Sequence, residues 1–229
     1  VSLTEAQRLA EKWFGPIPGG PRYERQLPVE PRQTEARFLE ITADVPVSAF
    51  YKVYHMPGRA DEAYTAADLL SDVLGRGKSS RLYQRLVKDQ QLFNGISASC
   101  TGSLEPGLLV ISGKLNTGVS LEEADAAVET VVAELRATPV TAEELEKVKN
   151  QAEASIVFSE IELLNRAMNL AYSKLMGDAN LVNEESARIQ AVTPEHVLAA
   201  AQEILRPENS STLYYRAQPK AVEELVVAE

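Results

Sequence analysis

The stretch Gly75-Arg76-Gly77-Lys78-Ser79-Ser80 is where this chain most invites a chemical reading. Glycines followed by Lys and Ser are what a loop needs to wrap a phosphate. The phosphate-loop pattern also requires a glycine five positions before Gly77, and Asp72 stands there. The loop moreover follows a helical pattern, whereas a phosphate loop leaves a strand, so that its amides and the next helix's N-terminus converge on the anion. Nucleotide binding is therefore not expected. Gly75 and Gly77 read instead as a tight helix-to-helix turn, with Ser79 or Ser80 capping the second helix. His55 and His196 are the only nitrogen-ligand candidates, and neither has a second His within one helical turn. His55 ends a strand pattern and His196 falls in the first turn of a helix. Cys100 stands alone, so it forms no internal disulfide and no cysteine cluster for zinc, and it reads as a small buried strand residue. Glu160 and Glu162, read as two residues apart on a helix, point to different sides. Nothing here assembles an acid, a base and a nucleophile.

The elements that must carry these residues follow from periodicity. Leu3 to Phe14 has helical spacing and stops at Gly15, Pro16 and Pro18; Gly19 to Thr34 is polar and Pro/Arg-rich, a linker. Strands are expected at Arg37 to Thr42 and Val47 to Met56, the second central because both of its faces are partly apolar. Helices follow at Ala60 to Leu74 and Ser80 to Lys88. A hairpin of Phe93 to Cys100 with Gly107 to Leu115 turns at Gly102 and Pro106-Gly107. Ser120 with Glu123 and Thr141 with Glu144 are capping-box patterns ahead of two helices, the second running on to Gly177. Asn183 to Ala191 is a short helix, Thr193-Pro194 starts one ending near Leu205, and Ser211 to Arg216 is a last strand. Strands joined by hairpins and grouped helices predict an α+β fold: one mostly antiparallel sheet with helices packed on one face.

Composition narrows the function classes. With 229 residues, 45% hydrophobic and 24% charged, the chain can bury a substantial core. A net charge of −10 opposes binding to nucleic acid and to anionic membranes, and no apolar run approaches the roughly 20 residues that span a bilayer. The chain opens on Val1, directly into a helical pattern, which reads as a processed product or a piece of something longer. A signal peptide could lie outside it, so periplasm and cytoplasm both stay open as compartments.

The run from Ala67 to Leu86, Ala-Asp-Leu-Leu-Ser-Asp-Val-Leu-Gly-Arg-Gly-Lys-Ser-Ser-Arg-Leu-Tyr-Gln-Arg-Leu, closely resembles the second domain of insulinase and pitrilysin family peptidases. The resemblance continues through Gln91 to Ser99, the Gly107 strand, Thr141 to Gln151 and Val192 to Val197. Trp13-Phe14-Gly15-Pro16-Ile17-Pro18 resembles the end of that family's first domain. Members resemble clamshells in which a domain with an inverted zinc motif, H-x-x-E-H, faces a related domain without metal. No such string occurs here, so the resemblance implies the C-terminal, metal-free half of a bacterial zinc peptidase. It implies residues 1–18 as the tail helix of a preceding domain, 19–35 as linker, 36–217 as the metal-free domain and 218–229 as a tail. It also implies no cofactor in this chain, zinc in the catalytic domain, and as partners that zinc-bearing domain or subunit and an unfolded peptide substrate.

Gln91, Phe93 and Asn94 are the residues expected to line the substrate wall. Metal-free domains that touch substrate often carry an Arg and, seven residues later, a Tyr; aligned on Leu82, Leu86 and Ser97, these places hold Val87 and Asn94. That departure puts direct contact through the pair in doubt and fits the C-terminal half of a zinc-bearing subunit whose partner supplies it. A structural or assembly module of a family member that has lost catalysis, and an α+β domain of unrelated function, are the competing readings.

Overall fold

The computed structural model describes residues 1–21, 28 and 30–218. They divide into two units, 1–32 and 33 onward. The first holds α1 (Leu3–Phe14), capped by Ser2 Oγ accepting from the Glu5 amide at 3.2 Å; none of its side chains is buried. Of the expected linker, residues 22–27 and 29 lie outside the described residues, as do 219–229 of the expected tail. Gln33 belongs to the second unit, where its buried amide donates to the Ser210 carbonyl at 2.8 Å and ties the chain to the sheet.

The second unit is built on five strands: β1 (Arg37–Ala43), β2 (Ala49–Met56), β3 (Phe93–Cys100), β4 (Gly107–Leu115) and β5 (Ser210–Ala217). Their order is β1-β5-β2-β4-β3. Only β1 and β5 run parallel; β2 is central, flanked by β4 and β5. The mixed α/β architecture with a mostly antiparallel sheet is thus the expected one, and β3 and β4 form the expected hairpin. One detail differs: β1 and β2 do not pair, because the last strand inserts between them. A parallel partner for β1 can only come from a distant segment, since parallel strands need a long crossover.

Phe50, Lys52, Tyr54 and Met56 of β2 are buried on one face of the sheet. Onto that face pack α2 (Tyr64–Gly75), α3 (Leu121–Ala137) and α7 (Pro194–Ile204). The two predicted caps are present: Ser120 and Thr141 accept from the Glu123 and Glu144 amides at 3.1 Å, starting α3 and α4 (Ala142–Ser159). Lys52, buried beneath α3, bonds Asp125 at 2.7 Å and Glu129 at 3.1 Å, and Tyr214 donates to the same Asp125 at 2.9 Å. The two carboxylates offset the desolvation of a lysine this deep, and the Tyr214 hydroxyl satisfies the second oxygen of Asp125.

Three helical expectations are corrected. Residues 60–63 form turns, and α2 starts at Tyr64, because Asp61 Oδ1 accepts from the Ala63 amide at 2.8 Å and offers the backbone a local alternative to helix. The segment after the glycine loop is helical from Arg81 and widens to a π-helix over Tyr83–Asp89. The run expected from Thr141 to Gly177 breaks into α4 and α5 (Leu163–Leu175), so Glu160 and Glu162 flank the break instead of sharing a helix. A sixth helix, α6 (Leu181–Ala191), precedes α7.

Candidate functional site

The glycine loop is a structural joint. A Cβ on Gly75 would lie 2.6 Å from Ala98 Cβ, 2.7 Å from its Cα and closer still to its backbone nitrogen, so Gly75 lets α2 press against β3. Of the loop's two glycines, Gly77 is the one that needs glycine's backbone freedom, at φ +74°. Ser80 Oγ does not cap the next helix; it donates to the Gly77 carbonyl at 2.8 Å. Arg76 pairs with Asp72 at 2.9 Å and donates to Ser155 of α4 at 2.8 Å, while Lys147 of α4 donates to the Ser79 carbonyl at 3.0 Å. With Gln84 donating to the Lys78 carbonyl as well, three of the loop's carbonyls and its guanidinium are committed to protein partners, the reverse of an amide cradle open to an anion.

The histidines are apart. His55 lies in β2, and its carbonyl accepts from Asn209 at 2.9 Å. His196 serves a reciprocal cap: its Nδ1 accepts from the Thr193 amide and its own amide donates to Thr193 Oγ1, both at 3.3 Å. Cys100 donates to the Ala67 carbonyl at 3.7 Å, and burial pushes its thiol up to about 12, so it is not a thiolate at neutral pH. Burial also raises Asp68, and raises Asp72 to about 6 in spite of Arg76. Among the described residues no group of three or more His, Cys, Asp or Glu could hold a metal ion.

The expected wall residues fall at the joint between the π-helix and β3. Gln91 is exposed with φ +54°, a left-handed backbone unusual for a side chain with a Cβ. It is held there by Asn116, whose side chain donates to the Gln91 carbonyl at 2.6 Å and whose amide donates to that of Leu92 at 3.0 Å. Asn94 is exposed, opposite no residue of β4, because the register shifts between Phe93 and Gly95. Such a bulge re-aims side chains on an edge strand. Phe93 is fully buried, its ring against Phe50 with centroids 6.2 Å apart and over Gly113, so its side chain belongs to the core. Val87 is half-buried against that core.

Two features escaped the sequence. One is a pair of clefts, about 800 Å³ and 410 Å³, that share Arg59 and Arg188 and lie against α7 and α6. Arg59 is already engaged, with Glu185 at 3.1 Å and over the Tyr172 ring at 5.4 Å. The other is the face of the sheet opposite α2, α3 and α7. The register sets Leu39, Leu213, Tyr51, Ser112 and Ser97 in one row across all five strands. Its β1 end is apolar and open, with Leu39 55% and Ile41 41% exposed, while its β3 end is lined by serines. Exposed Leu and Ile at alternate positions of β1 were its signal in the sequence.

The model of a family described as the peptidase M16 inactive domain matches residues 1–152. A Bacillus subtilis (strain 168) protein bearing the name uncharacterized zinc protease YmxG is 28% identical over 148 residues, which are 63% of this chain and 36% of that protein. The solved structure of a protease from Helicobacter pylori covers 96% of this chain and is itself covered over 53%, with 20% identity and a TM-score of 0.86. A peptidase M16 inactive domain from Pseudomonas fluorescens gives 20% identity, 96% and 52% coverage, and a TM-score of 0.78. This chain therefore spans about a third of that curated relative and about half of those structures. The family match takes in the α2 helix, the glycine loop and the β3–β4 hairpin, and leaves zinc to the catalytic half of such proteases. The chain belongs to the family of peptidase M16 inactive domains.

Proposed function

We propose that this chain is the non-catalytic half of a zinc metallopeptidase, closing a chamber around unfolded peptide substrate opposite a zinc-bearing domain. Residues 1–18 are then the tail helix of a preceding domain, 19–35 the linker and 36–217 the wall itself. The observation that carries the reading is the sheet face opposite α2, α3 and α7. A mostly antiparallel sheet can leave one face to water, but Leu39, Ile41 and Tyr51, exposed together on the face opposite α2, α3 and α7, give this one an apolar surface suited to a partner domain. The family membership supports identifying the other half as the catalytic one. Gln91 and Asn94, exposed where the π-helix meets edge strand β3, are the side chains offered to substrate.

The chamber contributes by orientation. A peptide held by the catalytic face alone loses the contacts that set its scissile bond over the metal, and misplacement by about 1 Å costs on the order of a hundredfold in rate. Combining this chain with a zinc-bearing half of the family should yield peptide hydrolysis that neither shows alone. Equal hydrolysis by the zinc-bearing half without this chain refutes the chamber. The double variant Val87→Arg/Asn94→Tyr then distinguishes two arrangements. A gain in turnover means this domain faces its own active site; no change means that a separate subunit supplies the Arg and Tyr.

A further inference from the structure

The smaller of the two clefts holds a carboxylate that no cation of the chain is left to neutralise. The cleft is about 410 Å³ and lies between α2, α5 and α6. Residues four apart share a helix face, and each helix brings such a pair to it: Tyr64 and Asp68 from α2, Met168 and Tyr172 from α5, Glu185 and Ile189 from α6. Three guanidiniums stand in this region, and each already has its own carboxylate: Arg59 pairs with Glu185 at 3.1 Å, Arg76 with Asp72 at 2.9 Å and Arg188 with Glu184 at 3.0 Å. Asp68 is the fourth carboxylate. The cations that act on it are Arg59 and Arg76, both bonded elsewhere, and desolvation outweighs them, so its pKa is raised. A further positive charge entering from solvent relieves that imbalance.

The walls decide what kind of cation fits. Hard metal ions take several oxygen ligands, and among the described residues no group of three or more His, Cys, Asp or Glu could supply them. Around Asp68 stand instead two phenol rings, a thioether and the Ile189 side chain. Ring faces attract organic cations, and the cleft already displays that pairing in Arg59, whose guanidinium lies over the Tyr172 ring at 5.4 Å. We propose that this cleft binds an organic monocation, a guanidinium or primary ammonium on an apolar stem, with Asp68 as its counter-charge and Tyr64 and Tyr172 among its walls. Such a group can belong to a free small molecule or to a basic side chain of a polypeptide. Helix α2 packs on the helix-covered side of the sheet, so the site is separate from the face offered to a zinc-bearing domain.

Amide chemical shifts of the full 229-residue chain, followed by NMR while n-butylguanidinium is added, test this. Saturable shifts are expected in α2, α5 and α6 at the residues lining the cleft. n-Butylurea has the same shape without the charge and should bind weaker by about tenfold or more. Asp68→Asn should weaken n-butylguanidinium by a similar factor, and Tyr64→Leu by severalfold. The urea comparison needs no variant, so it decides even where a substitution disturbs α2. The peptide acetyl-Gly-Arg-Gly-amide separates the sources: shifts at the same residues mean that a polypeptide side chain enters, and shifts with n-butylguanidinium alone mean a free small molecule. No saturable shift with either probe overturns the site, as do shifts confined to other residues, a urea that binds as tightly, or an Asp68→Asn chain with the parent's affinity. None of these readouts depends on zinc or on peptide hydrolysis.

Discussion

Replacing Gly75 by alanine puts two opposing effects in direct competition. Alanine is the better helix former by about 1 kcal/mol in a helix interior, and less at the last residue of α2. Against that gain, the new methyl carbon would sit 2.6 Å from Ala98 Cβ and 2.7 Å from its Cα, where carbon atoms rest at about 3.5–4.0 Å. The obstacle is strand backbone, not the end of a flexible side chain, so relief requires α2 to retreat from β3 by about 1 Å. Leu69, Leu70, Val73 and Leu74 on the same helix are at most 1% exposed, and a retreat loosens all of them. Overpacking costs about 1–3 kcal/mol, and a backbone clash belongs at the upper end. The net expectation is a loss of about 2 kcal/mol, or about 4–8 °C in melting temperature for a domain of this size. Urea and thermal unfolding followed by circular dichroism measure it. Gly77→Ala is the internal comparison: its surroundings are open, so only its left-handed backbone counts, at about 1 kcal/mol. A Gly75→Ala variant as stable as the parent would falsify the close-approach account of that glycine.

Three further outcomes are expected. Because burial raises the Asp72 pKa from 3.8 to about 6, the folded state holds that proton more tightly than the unfolded chain. Stability contributed by this group is therefore present at about pH 4 and falls as pH climbs toward 6, by at most about 3 kcal/mol before solvent screening is discounted. Asp72→Asn should flatten that decline in urea titrations across the window, and parallel profiles for variant and parent would remove Asp72 as its cause. Calorimetry with ATP and magnesium should give no binding heat for the parent or for Lys78→Ala, because the loop around Gly77 is bonded to α4; micromolar affinity lost in the variant would restore the phosphate-loop reading. Elemental analysis after dialysis should find well below one zinc per chain, and a stoichiometric ion bound by His55 or His196 would contradict the metal-free assignment.

Local rules carried much of the fold. Ser120, Thr141 and Thr193 announce their helices because a cap is settled within four residues, and Pro106-Gly107 turns the β3–β4 hairpin for the same reason. The break at 160–162 was hidden because the apolar spacing runs through it without interruption, in register with a stripe that faces solvent and not the core. Strict alternation from Ala98 and Ile96 would turn Phe93 outward and Asn94 inward, and the bulge at Asn94 reverses both, a local irregularity that spacing alone does not carry.

What the sequence determined by itself is therefore local chemistry and its absence: caps, turns, the lone thiol, the lack of a paired histidine motif and, through the Ala67–Leu86 run, the family. What only the tertiary structure decided is who meets whom. The insertion of β5 between β1 and β2 joins segments about 170 residues apart. The need for glycine at 75 exists only once Ala98 lies beneath it, and Leu39 and Ile41 show as an exposed apolar face only once the core has chosen its own residues. The physical reason is range. A hydrogen-bonded cap is complete within one turn of chain, whereas packing and strand order depend on contacts whose closure entropy is met only when the whole sheet assembles.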